Sequence, residues 1–72
     1  MDMRQVVGHN FARLRKQKGL TQEAAAEKSG FSQAYIGWLE RGRRNPTVIT
    51  LFLLASALDA SPAQLLQPLD QA

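Results

Sequence analysis

The stretch GLTQEAAAEKSGFSQAYIGWLERGRRNPT, residues 19–47, decides the fold because it encodes two short helices joined by a tight turn. Thr21 is a suitable N-cap, and the alanine run that follows it carries a helix of about two turns. Ser32 caps the next helix, in which Ile36 and Leu39 lie at i and i+3 and face inward. We therefore predict a helix-turn-helix unit at about residues 21–41.

Helices are also predicted on both sides of this unit. Upstream, Met3, Val7, Phe11 and Leu14 recur on one face of a helix that ends near Lys18.

Proline and hydroxyl residues mark two helices downstream of the unit. Pro46 excludes helix immediately before it, so Thr47 caps a strongly apolar helix over residues 48–58. The segment SPAQLL, residues 61–66, has the sequence of a capping box and opens a short fifth helix. The fold class predicted is all-α, with a frayed tail after residue 67.

The composition allows one small domain. A chain of 72 residues can enclose a single core, so we expect one domain over residues 1–72. It has no cysteine, which excludes disulfides and thiolate metal ligands within this sequence. The first residues are polar and no apolar run is long enough to cross a bilayer, so we expect a cytoplasmic protein with no membrane association.

The positive charge is confined to the first part of the chain. Nine basic and four acidic residues precede position 46, a net charge of +5, whereas the remainder carries only two aspartates, a net charge of −2. Such asymmetry favours an anionic partner for the first part, and we predict that this partner is double-stranded DNA.

The outward positions of the second helix of the unit are suited to reading bases. Gln33 can form paired hydrogen bonds with adenine, and Ala34 can contact a thymine methyl group. Gly37 is either a place where DNA approaches the backbone closely or a tolerated helix imperfection. Trp38 either contacts DNA or packs within the protein or its dimer. We predict base contacts from these four residues.

Donors for phosphate oxygens cluster just after this helix. Arginines beside a helix end are often only solvated, but here neutral donors accompany them. The predicted phosphate contacts are Gln22, Arg41, Arg43, Arg44, Asn45 and Thr47.

No catalytic, metal or cofactor site is indicated. His9 is the single histidine and lacks companions for metal binding or nucleophilic catalysis, and no paired carboxylates converge in the pattern. We expect no enzyme activity, no bound metal and no cofactor.

One ordered set of residues resembles the Cro and phage-repressor (XRE) type of helix-turn-helix family: GLTQ (19–22), SQ (32–33), Ile36, LE (39–40), Gly42 and NP (45–46). The resemblance covers about residues 7–66. It implies a compact five-helix bundle of the lambda-repressor-like type that binds operator DNA, usually as a homodimer. It also implies a structural ion pair between Arg15 and Glu40.

The chain departs from the family pattern in three places. Ala24 replaces an acid that is common at the third position of the first helix of the unit, and Ala25 stands where a larger aliphatic residue is usual; both suggest a thinner core. Ile49 and Leu53 replace residues that are usually polar and, at i and i+4, would form an exposed apolar stripe. We predict a dimer contact made by Ile49 and Leu53, with Leu65, Leu66 and Leu69 as further candidates.

The leading functional hypothesis is a sequence-specific transcriptional regulator that acts as a dimeric repressor. A narrower version is a controller protein of a restriction-modification system. The alternative from another class is a protein-interaction module, such as an antitoxin, whose DNA binding is secondary.

Overall fold

The computed structural model of the chain describes residues 1–69, and the end of the predicted tail lies outside them. The prediction of an all-α fold is confirmed for this part of the chain. Residues 1–69 form five helices, which are α1 (Met3–Gln17), α2 (Gln22–Ser29), α3 (Gln33–Glu40), α4 (Val48–Ala57) and α5 (Pro62–Leu65).

Side-chain caps start the helices where the sequence predicted. The Oγ1 of Thr21 accepts a hydrogen bond from Ala24 N at 3.0 Å, and the Oγ of Ser32 accepts one from Tyr35 N at 3.0 Å. At α5, the backbone N–H of Ser61 donates to Oε1 of Gln64 at 2.9 Å, as expected for a capping box. Each bond satisfies an amide that the first turn of a helix leaves without a partner.

The helix α3 ends at Glu40, close to the predicted end of the unit at about residue 41, and Gly42 follows it with a left-handed φ of 76°. The N–H of Arg43 then donates to the carbonyl of Trp38 at 2.9 Å, and that of Gly42 to Leu39 at 3.0 Å. This pair of bonds is a Schellman motif, and it turns the chain sharply into the arginine-rich linker.

The core is formed by one apolar face from each helix. α1 packs on α3 and α5, α2 packs on α3 and α4, and α4 packs on α5. Ala25 is fully buried, and the small side chain lets α2 lie close to its neighbours. The largest fully buried side chains at the centre are those of Phe11, Ile36, Leu39, Leu54, Leu58 and Leu65.

The assignment of Leu65 to a dimer contact was wrong. Leu65 is completely buried and belongs to the core, whereas its neighbour Leu66 is 42% exposed. The turn of α5 directs Leu65 inward between α1 and α4, and the adjacent leucine therefore faces outward.

The chain is anchored up to residue 67, the point after which the sequence predicts a frayed tail. The buried Asn10 donates from Nδ2 to the carbonyl of Leu65 at 2.9 Å and to that of Gln67 at 2.8 Å. Leu69 is half-buried and lines a surface cavity beside His9 and Arg13. The path of the chain is therefore fixed by α1 as far as residue 67.

Candidate nucleic-acid interface

The helix α3 packs on the core through one face only. Ile36 and Leu39 are fully buried against α1 and α2, and Gly30 makes the turn between α2 and α3 with a left-handed φ of 83°. The opposite side of α3 faces away from the protein. An α-helix presented in this way has the dimensions to enter a DNA major groove.

Three of the four predicted base-contacting residues lie on that open side. Gln33 and Ala34 are exposed at the first turn, and Trp38 is 38% exposed one turn later. Ala34 and Trp38 are four residues apart, so they share one face of the helix. The structure therefore brings a polar, a small and an aromatic side chain to one continuous surface.

The prediction that Gly37 lies open to DNA was wrong. Gly37 is buried, because the side chain of Arg41 folds back over it from the next turn. A Cβ on Gly37 would lie 3.8 and 3.9 Å from the Nη atoms of Arg41 and 4.0 Å from Oε1 of Gln22. The space beside Gly37 is thus lined by Arg41 and Gln22, two of the residues that we predicted to bind phosphate.

An aromatic and cationic cluster lies beside the open side of α3. The guanidinium carbon of Arg44 is 4.4 Å from the centroid of the Trp38 ring, and Phe31 stacks on Tyr35 with centroids 4.8 Å apart. Burial raises the pKa of Tyr35, and the positive charge of Arg44 opposes that rise.

The remaining predicted phosphate ligands line the loop between α3 and α4. Arg43 and Asn45 are exposed. Thr47 is also exposed, but its Oγ1 caps α4 by accepting from Thr50 N at 3.1 Å and lies 3.0 Å from the Thr50 hydroxyl. The loop therefore offers cationic and amide donors to a passing phosphate backbone, while Thr47 already has a structural role.

The residues Arg15 and Glu40 form an ion pair between α1 and the end of α3. Nε of Arg15 lies 2.6 Å from Oε2 of Glu40, and Nη2 lies 3.0 Å from Oε1. The hydrogen bond to Glu40 raises the pKa of Arg15. Nη1 of Arg15 also donates to the carbonyl of Leu20 at 2.9 Å, and Nε2 of Gln22 donates to Oε1 of Glu40 at 2.9 Å.

Gln22 therefore joins this network rather than projecting freely. Its Nε2 is engaged by Glu40, which fixes the side chain near the start of α2. The exposed amides and dipole of a helix start are suited to a phosphate, so its position remains compatible with the predicted contact.

An exposed apolar face runs along α4, wider than the sequence predicted. Ile49 is 70% exposed and Leu53 is 43% exposed, as the prediction of a stripe required. Val48 and Phe52 are 80% and 58% exposed beside them. We did not predict these two residues, although their spacing of four was a signal that could have found them. The four residues are called the α4 apolar face below.

One close backbone contact was not predicted from the sequence. Gly8 lies in the middle of α1, and a Cβ there would overlap the carbonyl oxygen of Leu39 and come within 3.1 Å of that of Glu40. The end of α3 thus rests directly on the backbone of α1.

Other kinds of site find little support in the described part of the chain. Among residues 1–69, no three His, Cys, Asp or Glu side chains are grouped to hold a metal ion. In the same residues, no helix is both long and apolar enough to span a bilayer.

A helix-turn-helix family model matches residues 11–65 of the chain. The chain belongs to this helix-turn-helix family. It is 63% identical over 71 residues to the uncharacterized HTH-type transcriptional regulator y4dJ of Sinorhizobium fredii, an alignment that covers 99% of this chain and 92% of the relative.

Solved helix-turn-helix structures have the same architecture. The restriction-modification controller protein C.AhdI of Aeromonas hydrophila superposes with a TM-score of 0.82 at 40% identity, covering 86% of this chain and 94% of that one. The controller protein C.Esp1396I, solved as a tetramer with its natural 35 base-pair operator, superposes with a TM-score of 0.82 at 32% identity. That alignment covers 90% of this chain and 86% of the controller.

Proposed function

We propose that the chain is a repressor that binds operator DNA as a homodimer and inserts α3 into the major groove. The chain is a DNA-binding transcriptional regulator, and double-stranded DNA is its partner. The observation that carries the groove assignment is the open side of α3, where Gln33, Ala34 and Trp38 are exposed while Ile36 and Leu39 seal the other side.

The charges of the surface support this assignment. Arg43 and Arg44 lie at the end of α3 without a carboxylate partner among residues 1–69, so neither charge is neutralised within the described protein. Cations in this position attract the phosphate backbone and orient the helix in the groove. The controller C.Esp1396I, which resembles this chain, was solved with its operator, and this supports operator binding by the present chain.

The α4 apolar face supports the proposed dimer. Four exposed large or branched apolar side chains in one helix are costly to leave in water and typical of a protein contact. A second copy of the chain would bury them and present two α3 helices to two half-sites of one operator. We place this activity in the cytoplasm, with no catalytic reaction.

A binding experiment on selected DNA tests the proposal. Duplexes are selected from a random pool, and affinity is measured by fluorescence anisotropy at several salt concentrations. We expect log affinity to fall linearly with log salt concentration, because phosphate neutralisation releases counterions. An affinity that ignores salt, or a pool from which no sequence is enriched, would contradict the proposal.

Two matched glutamine variants test the role of α3. Gln33→Ala should relax the preference at one or two base pairs, whereas Gln17→Ala, an exposed glutamine at the end of α1, should leave it unchanged. Equal effects of the two variants on base-pair preference would contradict the placement of α3 in the major groove.

A further inference from the structure

The three arginines after α3 have different surroundings in the folded chain. Arg41 lies over Gly37, and Arg44 lies over the ring of Trp38 at 4.4 Å. Arg43 lies between them in the sequence, is exposed, and stacks on no aromatic ring among residues 1–69. Although the sequence suggests one group of phosphate ligands, the structure separates Arg44 from Arg43.

The stack leaves the hydrogen-bonding edge of Arg44 available. A guanidinium stacks through its flat face, while its five N–H donors point outward in the plane. Within the described residues, the side-chain hydrogen bond of Arg44 is a long one of 3.4 Å from Nη1 to the carbonyl of Arg43. No carboxylate in residues 1–69 pairs with it. Arg44 is therefore held in place with most of its donors free.

The stack keeps these donors next to Trp38, on the open side of α3. Trp38 shares its face of α3 with Ala34, which lies one turn earlier. A side chain seated on Trp38 is consequently carried toward the same groove as Gln33 and Ala34. Arginine donors pair with O6 and N7 of guanine in that groove.

We propose that Trp38 is a positioning residue that holds Arg44 on the open side of α3, where Arg44 reads a guanine instead of neutralising a phosphate. This inference rests on the proposed function, since it concerns the same surface. It assigns Arg44 to sequence discrimination and leaves the sequence-independent contact to Arg43.

The stack can be tested without DNA because Trp38 is the single tryptophan of the sequence. Quenching of its fluorescence by acrylamide reports how much of the ring is accessible. Arg44→Ala should increase the quenching constant, since it uncovers one face of the indole, and the matched variant Arg43→Ala should not. An identical change in both variants, or none in either, would overturn the stack whatever the outcome of DNA binding.

The role in reading is tested with single base-pair substitutions in a selected operator. Arg44→Lys keeps the charge but loses the planar fork, so it should remove about tenfold or more of the discrimination at one G·C pair. Trp38→Leu should lose discrimination at the same pair, Trp38→Phe should restore part of it, and the double variant Trp38→Leu/Arg44→Lys should be no worse than either single one.

The control distinguishes the inference from the proposed function. Arg43→Ala should weaken binding to every sequence similarly and reduce the salt dependence by about one phosphate contact. If Arg44→Lys instead weakens all sequences equally, or if Trp38→Leu leaves discrimination intact, the inference is wrong while the proposed function stands. If wild type selects no sequence, both fail.

Discussion

Arg15 and Glu40 tie α1 to the last turn of α3 through two hydrogen bonds of 2.6 and 3.0 Å, with side chains only 10% and 8% exposed. Gln22 and the carbonyl of Leu20 satisfy further atoms of the same pair. The end of α3, the helix that we propose to read DNA, is therefore held by charged groups out of water.

Loss of one partner of this pair should be costly. Glu40→Ala leaves the guanidinium of Arg15 buried without its counter-charge, so we expect the free energy of unfolding to fall by about 3–5 kcal/mol. Urea unfolding followed by circular dichroism measures the change. Glu27→Ala, which removes an exposed glutamate from α2, is the control and should cost little. Equal costs would show that the pair is not important for stability.

The contact between Gly8 and α3 makes a second prediction. Gly8→Ala would place a methyl group against the backbone carbonyl of Leu39, which cannot move without displacing α3. We expect a loss of about 1–3 kcal/mol in the free energy of unfolding, despite the better helix propensity of alanine. Thermal denaturation measures it, and an unchanged or higher melting temperature would contradict the contact.

The same substitution at Gly37 should have the opposite sign. A methyl group there meets Arg41 and Gln22 only at ordinary contact distances, and the backbone of Gly37 is not in a left-handed conformation. Gly37→Ala should therefore stabilise the fold by about 0.5–1 kcal/mol, since alanine loses less backbone entropy in a helix interior. This variant is the matched control for Gly8→Ala in the same melting experiment, and a clear loss of stability would show that Gly37 is more tightly enclosed.

Introducing a charge into the α4 apolar face should prevent self-association. Leu53→Glu would place a carboxylate in the proposed contact, so we expect a monomer in sedimentation velocity at concentrations where the wild type is a dimer. The control is Gln17→Glu, which introduces a carboxylate at an exposed position of α1 and should leave the dimer intact. If both variants sediment like the wild type, the contact between subunits lies on another surface.

The bond from Asn10 to the segment after α5 predicts a local effect. Asn10→Ala leaves the carbonyls of Leu65 and Gln67 without their donor. Because the bond to Leu65 is buried, its loss should lower the free energy of unfolding in urea by about 1–3 kcal/mol. Relative to the wild type, the variant should show a larger increase in hydrogen exchange in α5 than in α3. His9→Ala, an exposed neighbour, should alter neither measurement.

The sequence contained most of the fold because its signals are local. Thr21, Ser32 and Thr47 bond to amides three residues away, so their capping roles can be read from adjacent letters. Gly8 is different: the carbonyl that excludes a side chain there belongs to Leu39, in a distant part of the chain. Its role became apparent only when α1 and α3 were placed together.

The candidate DNA surface was predictable in outline but not in its detail. Helical spacing of Ile36 and Leu39 identified the side on which Gln33, Ala34 and Trp38 are exposed. Spacing alone cannot show where a long side chain folds, so the covering of Gly37 by Arg41 was missed. For Leu65 and Leu66, two adjacent leucines in one short turn, the pattern could not decide which one the core would take.

The residues that pack α3 onto the protein differ from those on its exposed surface. Ile36, Leu39 and Glu40 hold the helix, whereas Gln33 and Ala34 form no part of that support. A lineage could consequently acquire a different genetic target by changing a few letters on the outside while the scaffold stays intact. Changing the DNA target of such a protein therefore requires new surface residues and no new fold.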